Sequence, residues 1–143
     1  MADLIEALPS VGRRAVLGAS TAAYVLSLLL PAMYFEKEPS LSGLALLGQG
    51  WLGLLTLNPA WLANPLCVWA AVQLARRCYG RAAGFGAAAL ACALCSLFTK
   101  NWYFNEAAAT PIAGLGIGFY VWLLALAALL LGSLRLRRSA AAH

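Results

Sequence analysis

The side chains able to do acid–base, nucleophilic or metal chemistry are few here and thinly spread. Besides hydroxyls they amount to five carboxylates (Asp3, Glu6, Glu36, Glu38, Glu106), four cysteines (Cys67, Cys78, Cys92, Cys95) and one histidine, His143. A paired acid and base, a nucleophile beside a base, or a cluster of ligating groups would each define a reaction class. The acids instead occupy short charged leads and turns, where Glu36, Glu38 and Glu106 read as a solvated face. Cys92 and Cys95 fall on adjoining faces of one apolar segment, without a His, Asp or further Cys at matching depth to complete a metal site. Cys67 lies in a second apolar segment and Cys78 in an arginine-flanked turn, a usage that fits buried or cytoplasm-facing thiols better than a disulfide framework. His143 is the last residue, poorly placed for a base or haem ligand. Gly114-x-Gly116-x-Gly118 opens an apolar helix rather than a phosphate-binding turn. No catalytic residue, metal or cofactor is expected, and no ionisable group inside an apolar stretch offers a proton relay.

The elements that would position any chemistry are apolar runs suited to a bilayer. The chain of 143 residues is 63% hydrophobic and 10% charged, whereas a soluble domain carries about 25% charge. The net charge of +5 comes from residues that cap these runs, so it points to lipid headgroups and topology, not to nucleic acid. Arg13 and Arg14 precede the first run, Arg76, Arg77 and Arg81 divide the chain, and Arg135, Arg137 and Arg138 follow the last, with Lys37 and Lys100 in the alternate gaps. This is the positive-inside pattern of a multi-pass protein. The excess of Arg over Lys amid abundant Ala, Leu and Gly suits a GC-rich bacterial source. Ser10-Val11-Gly12-Arg13-Arg14-Ala15-Val16-Leu17 has the look of a twin-arginine export signal, but a run of about 21 residues without a small-x-small cleavage site favours a retained anchor.

Four spans follow, at about 15–35, 59–75, 82–99 and 113–134, in a single all-α membrane domain covering residues 1–143. The first would measure about 31 Å, enough for a hydrocarbon core of about 30 Å. The stretch from Leu41 to Arg76 is long for one span and short for two. Asn58-Pro59 and Asn64-Pro65 each suit a helix start. Letting only the second half cross puts all eight arginines on one side, which makes 41–57 an outer interfacial or re-entrant helix and both termini cytoplasmic. Ser42, Gln49 and Thr56 would then share one helical stripe.

Two sets of residues stand out for recognition. Gly80, Gly84, Ala88, Cys92 and Ser96 recur at i+4 spacing, the small-residue ridge that lets helices approach closely in lipid. Packing within the monomer is favoured over self-association for this ridge. Trp51, Trp61, Asn64, Trp102 and Asn105, with Tyr103 and Phe104, form either an aromatic belt at the outer interface or a shallow outer pocket.

Gly50-Trp51-Leu52-Gly53, Ala60-Trp61-Leu62-Ala63-Asn64-Pro65-Leu66 and Pro111-Ile112-Ala113-Gly114-Leu115-Gly116-Ile117-Gly118-Phe119-Tyr120-Val121-Trp122-Leu123 resemble, in type and order, a family of small bacterial four-span inner-membrane proteins. The resemblance covers about residues 41–134 and implies a membrane fold and no particular activity. The favoured function is therefore a non-enzymatic accessory or structural subunit, in contact with the bilayer and with other membrane subunits or copies of itself. A homo-oligomeric pore lined by Gln73, Ser96, Thr99 or the Ser42 stripe is the alternative. A lipid- or quinone-handling enzyme using Asn101, Asn105 and Glu106 comes third.

Overall fold

The structure is a computed structural model that describes the backbone of residues 2–105 and 108–142 and the side chains of residues 12–104 and 109–142. Glu106 and His143 lie outside the described residues. The fold is mostly helical. Its elements are α1 (Ala2–Leu29), β1 (Pro31–Tyr34), β2 (Leu41–Ser42), α2 (Gly43–Gln49), α3 (Ala63–Ala75), α4 (Tyr79–Leu94), β3 (Asn101–Asn105), β4 (Ala108–Pro111), β5 (Gly114–Leu115) and α5 (Ile117–Ala141). Turns of 3-10 helix at Gly50–Thr56, Pro59–Leu62 and Cys95–Phe98 extend α2, lead into α3 and extend α4. Two helices, Tyr79–Phe98 and Ile117–Ala141, are long and apolar enough to cross a membrane. The 13 residues of α3 reach about 20 Å, and the 3-10 turn before it adds about 8 Å.

The four long helices run up and down in turn. Ser20 Oγ donates to the Ala125 carbonyl at 3.1 Å, Gly132 meets Val16, and Gly118 meets the Leu30 carbonyl, so α1 and α5 are antiparallel along their length. Gly86 lies against Leu130 and Gly80 against Arg137, which aligns α4 antiparallel to α5 as well. The dry core between them is built from Ala70, Leu74, Ala82, Ala89, Ala93, Leu126 and Leu129. These contacts bring Arg13, Arg14, Arg76, Arg77, Arg81 and the three arginines of α5 to one end of the bundle. All short strands gather at the other end, with Lys37 and Lys100 beside them.

The α3–α4 turn explains how the middle arginines reach that end. Arg77 N–H donates to Leu74 and Cys78 N–H to Gln73, at 3.0 and 2.9 Å, the paired bonds of a Schellman cap. Arg77 takes the left-handed position of that cap, at φ 63°, which glycine would fill without steric cost.

The all-α expectation is corrected at the opposite end, where five short strands form. Pro31 was expected in the last turn of a helix reaching Phe35. It has no N–H to give the helix and holds the residue before it extended, so α1 stops at Leu29. The freed strand β1 pairs antiparallel with both β2 and β5, Met33 facing Leu41 on one side and Leu115 on the other. The last helix was expected from Ala113. Gly114 and Leu115 are instead held by β1, and Gly116 N–H donates to the Ala32 carbonyl at 2.9 Å, so α5 begins at Ile117. A Cβ on Gly116 would overlap the Pro31 carbonyl, and one on Gly118 would lie 2.7 Å from the Leu30 carbonyl oxygen, so this crossing requires glycine. β3 and β4 make a separate hairpin, pairing Trp102 with Thr110.

Residues 43–56 form one continuous apolar helical segment, as expected for most of 41–57, but only Gly43–Gln49 winds as α-helix; Gly50–Thr56 continues as 3-10 helix, and Leu41–Ser42 is β2. Ser42 caps α2 by accepting from Ala45 N–H, and the glycines at 48, 50 and 53 weaken continuation of the α-helix. Ser42, Gln49 and Thr56 therefore share no helical stripe, and Thr56 Oγ1 donates to the Gly53 carbonyl in its own turn.

Candidate functional site

The strand-bearing end of the bundle encloses a cavity of about 510 Å³, within the range of about 300–1,000 Å³ typical of small-molecule sites. Its floor is the ends of the long helices, with Ser27, Asn64, Ser96, Phe119 and Trp122. One wall is the α2 segment and its 3-10 extension, the other the hairpin residues Asn101–Phe104.

Three polar ties hold this end open. Asn64 is the junction of three helices: its Oδ1 accepts from Tyr24 Oη at 2.8 Å and from Trp122 Nε1 at 3.2 Å, while its Nδ2 donates to the Trp61 carbonyl at 3.0 Å. Asn58 caps the turn before α3, its Oδ1 accepting from Ala60 N–H at 3.0 Å, and its Nδ2 donates to Thr99 Oγ1 beyond the end of α4. Trp61 Nε1 donates to the Leu47 carbonyl at 2.9 Å and so pins the α2 segment to the bundle. A burying contact joins the two sheets: Phe35 meets Phe104 edge to face, with ring centroids 5.1 Å apart. Each tie is an Asn or Trp side chain satisfying a backbone or side-chain group that would otherwise be buried unpaired, at a cost of about 1–3 kcal/mol.

One donor in the wall stands apart. The indole nitrogen of Trp102 is buried and has no acceptor, the one such side-chain atom among the described residues. Thr99 adds a second donor, since its hydroxyl accepts from Asn58 and keeps its own hydrogen to give. Ser27 and Ser96 give their hydroxyl hydrogens to the Tyr24 and Ala93 carbonyls, and their oxygens can still accept. Among the described residues no charged side chain lines the cavity.

The structure thus brings Trp61, Asn64 and Trp102 together around one cavity. Trp51 is not part of it. That side chain is half exposed and points away from the lining, although its neighbours Gly50 and Leu52 contribute. Asn105 ends β3, paired with Ala108, and its side chain lies outside the described residues. Sequence reasoning missed Thr99 and Asn58 as partners, because they lie 41 residues apart and are joined only by the fold.

The expected small-residue ridge divides. Gly80, Gly84 and Ala88 are exposed, Cys92 is half-buried, and only Ser96 is buried. Packing inside the monomer uses a neighbouring face instead: Ala82, Ala83, Gly86, Ala89 and Ala93, with Gly86 against the backbone of Leu130. The intramolecular reading of the ridge is therefore corrected. Both faces of α4 are small, and the one that includes Gly86 is covered by α5 at Leu130. The four cysteines are free thiols, and no cluster of ligating side chains occurs among the described residues.

No family model, curated protein or solved structure matches this chain. What the protein does is therefore argued from its own residues.

Proposed function

We propose that the chain is a four-span protein of the bacterial inner membrane, with both termini cytoplasmic, acting as a non-enzymatic accessory or structural subunit of a larger membrane complex. The observation that carries this reading is the bare stretch of α4 at Gly84 and Ala88, continued by Gly80, which meets only the Arg137 side chain. A Cβ built on Gly84 meets nothing within 4 Å, so a smooth backbone ridge is left uncovered beside a fully used packing face. Such ridges are the usual means by which helices associate in lipid. The half-exposed Val25, Leu26, Val68, Trp69, Leu124 and Leu131 on the bundle's flanks support lipid around it. The arginine end supports the cytoplasmic assignment, and residues 41–56 then lie at the outer headgroup level.

The pore reading has less support. Ser96 is buried and donates to its own helix, Gln73 is buried in the monomer, Thr99 is bonded to Asn58, and Ser42, Gln49 and Thr56 share no stripe, so the side chains named for a channel do not form one polar face.

The subunit reading is tested by purification in mild detergent, followed by mass measurement and identification of companions. Companion subunits that are lost when Gly84 and Ala88 are changed to Leu support it; a ring of identical copies would replace it with the pore. The double substitution leaves monomer stability within about 0.5 kcal/mol, because both sites are exposed. Topology is read separately, in a background with the native cysteines changed to alanine. A cysteine at Ser40 labels from outside and one at Ser139 does not; the reverse labelling would overturn the orientation.

A further inference from the structure

We propose that the cavity at the strand-bearing end is a binding site for one uncharged, elongated apolar molecule that carries a carbonyl oxygen: the acyl-ester region of a membrane lipid, or an isoprenoid quinone. The inference concerns a ligand and holds whether or not the chain is a subunit of a complex.

Shape and charge set the first limits. A cavity of about 510 Å³ with mostly apolar walls and, among the described residues, no charged side chain in its lining takes a neutral hydrocarbon body, because an ion loses its hydration there without a described partner. The second limit comes from the hydrogen bonds left over. The acceptors of Asn58 and Asn64 are occupied by Ala60 N–H, Tyr24 and Trp122, and the donor of Trp61 is given to Leu47. Acceptor capacity remains on the Ser27, Ser96 and Thr56 hydroxyl oxygens, but the one buried side-chain atom left without a partner among the described residues is a donor, the Trp102 N–H, and the Thr99 hydroxyl that accepts from Asn58 has no acceptor of its own among them. An uncharged ligand that brings an acceptor completes this wall, and a carbonyl is the commonest such group on a membrane-soluble molecule.

Tryptophan fluorescence reads this directly. Of the five tryptophans, Trp61, Trp102 and Trp122 line the cavity, while Trp51 and Trp69 are half exposed outside it. In a W51F/W69F background in dodecyl maltoside, three probes are titrated: a phospholipid with dibrominated acyl chains, a benzoquinone with a decyl chain, and a brominated hexadecane that has the chain but no carbonyl. The expected result is saturable quenching near one probe per protein by at least one of the carbonyl probes, at least tenfold tighter than by the bromoalkane. Saturation by the phospholipid alone identifies the acyl ester, and saturation by the quinone alone identifies the quinone. Thr99→Val weakens the carbonyl probes several-fold and leaves the bromoalkane unchanged. Ala60→Phe, which fills the cavity, abolishes saturation while the unfolding temperature and elution volume stay those of the background. Mass spectrometry of lipid extracted from the unmodified protein gives a readout that no variant can spoil, and a stoichiometric carbonyl lipid is expected there. Quenching that never saturates, equal quenching by the bromoalkane, or saturation that survives Ala60→Phe would each overturn the proposal.

Discussion

The two ends of this bundle are built on opposite plans. At the arginine end, helices meet through small residues and nothing is left between them: Gly132 receives Val16, and Ala70, Ala82 and Ala89 are fully buried. At the strand-bearing end, short elements tied by Asn and Trp side chains hold the same helices around a void. The same chain thus uses close packing where it needs only cohesion, and directional hydrogen bonds where it must keep space. An interior held by contact alone collapses to native density, because every gap forfeits dispersion energy. An interior held by polar struts need not.

That contrast can be broken at four places. The largest effect is expected for Gly132→Leu, since any side chain there overlaps Val16. The variant should lose about 3 kcal/mol or more and fail to purify as a single species, with partial recovery on adding Val16→Ala. Full stability of the single variant would show that the arginine end is not close-packed. A paired test comes next. Ala70→Leu, in the core at 0% exposure, should cost about 1–3 kcal/mol in thermal unfolding, whereas Ala60→Leu, facing the cavity, should change stability by less than about 0.5 kcal/mol. Equal costs would mean that the two ends do not differ in packing. Asn64→Leu removes the acceptor shared by Tyr24 and Trp122 and should cost about 1–2 kcal/mol, accompanied by a shift in tryptophan emission. An unchanged spectrum would remove Asn64 as a strut. The smallest effect is a gain. Arg77→Gly relieves a left-handed residue and should raise stability by up to about 1 kcal/mol, measured by the same unfolding assay.

Much of the arginine end could be read from the residues. Arg13, Arg76 and Arg135 mark the same end of the bundle, although only Arg76 stands at a helix end while α1 and α5 continue past Arg13 and Arg135, and Asn58-Pro59 marks a helical start because Asn caps and Pro suits the first turn. The cavity was partly legible, since Trp61, Asn64 and Trp102 are the polar-tipped residues of otherwise apolar segments. The strands were not. Pro31–Tyr34 and Gly114–Leu115 show no alternation; Gly114–Leu115 is a strand because β1, already paired with β2, lies beside it after residues 35–113 have folded. The covered face of α4 was equally hidden, because glycine and alanine recur at i+4 on more than one side and the helix that covers one of them, α5 at Leu130, is distant in the chain.

The pairing of α1 with α5 has a consequence for how the molecule is made. Ser20 finds its acceptor in Ala125, a residue 105 positions later in the chain. At about 5–20 residues per second of synthesis, the first helix waits roughly 5–20 s for the last. During that interval Ser20, the β5 edge of β1 and the face of α1 that will receive α5 lack their native partner, so the helix made first is the one whose packing is completed last.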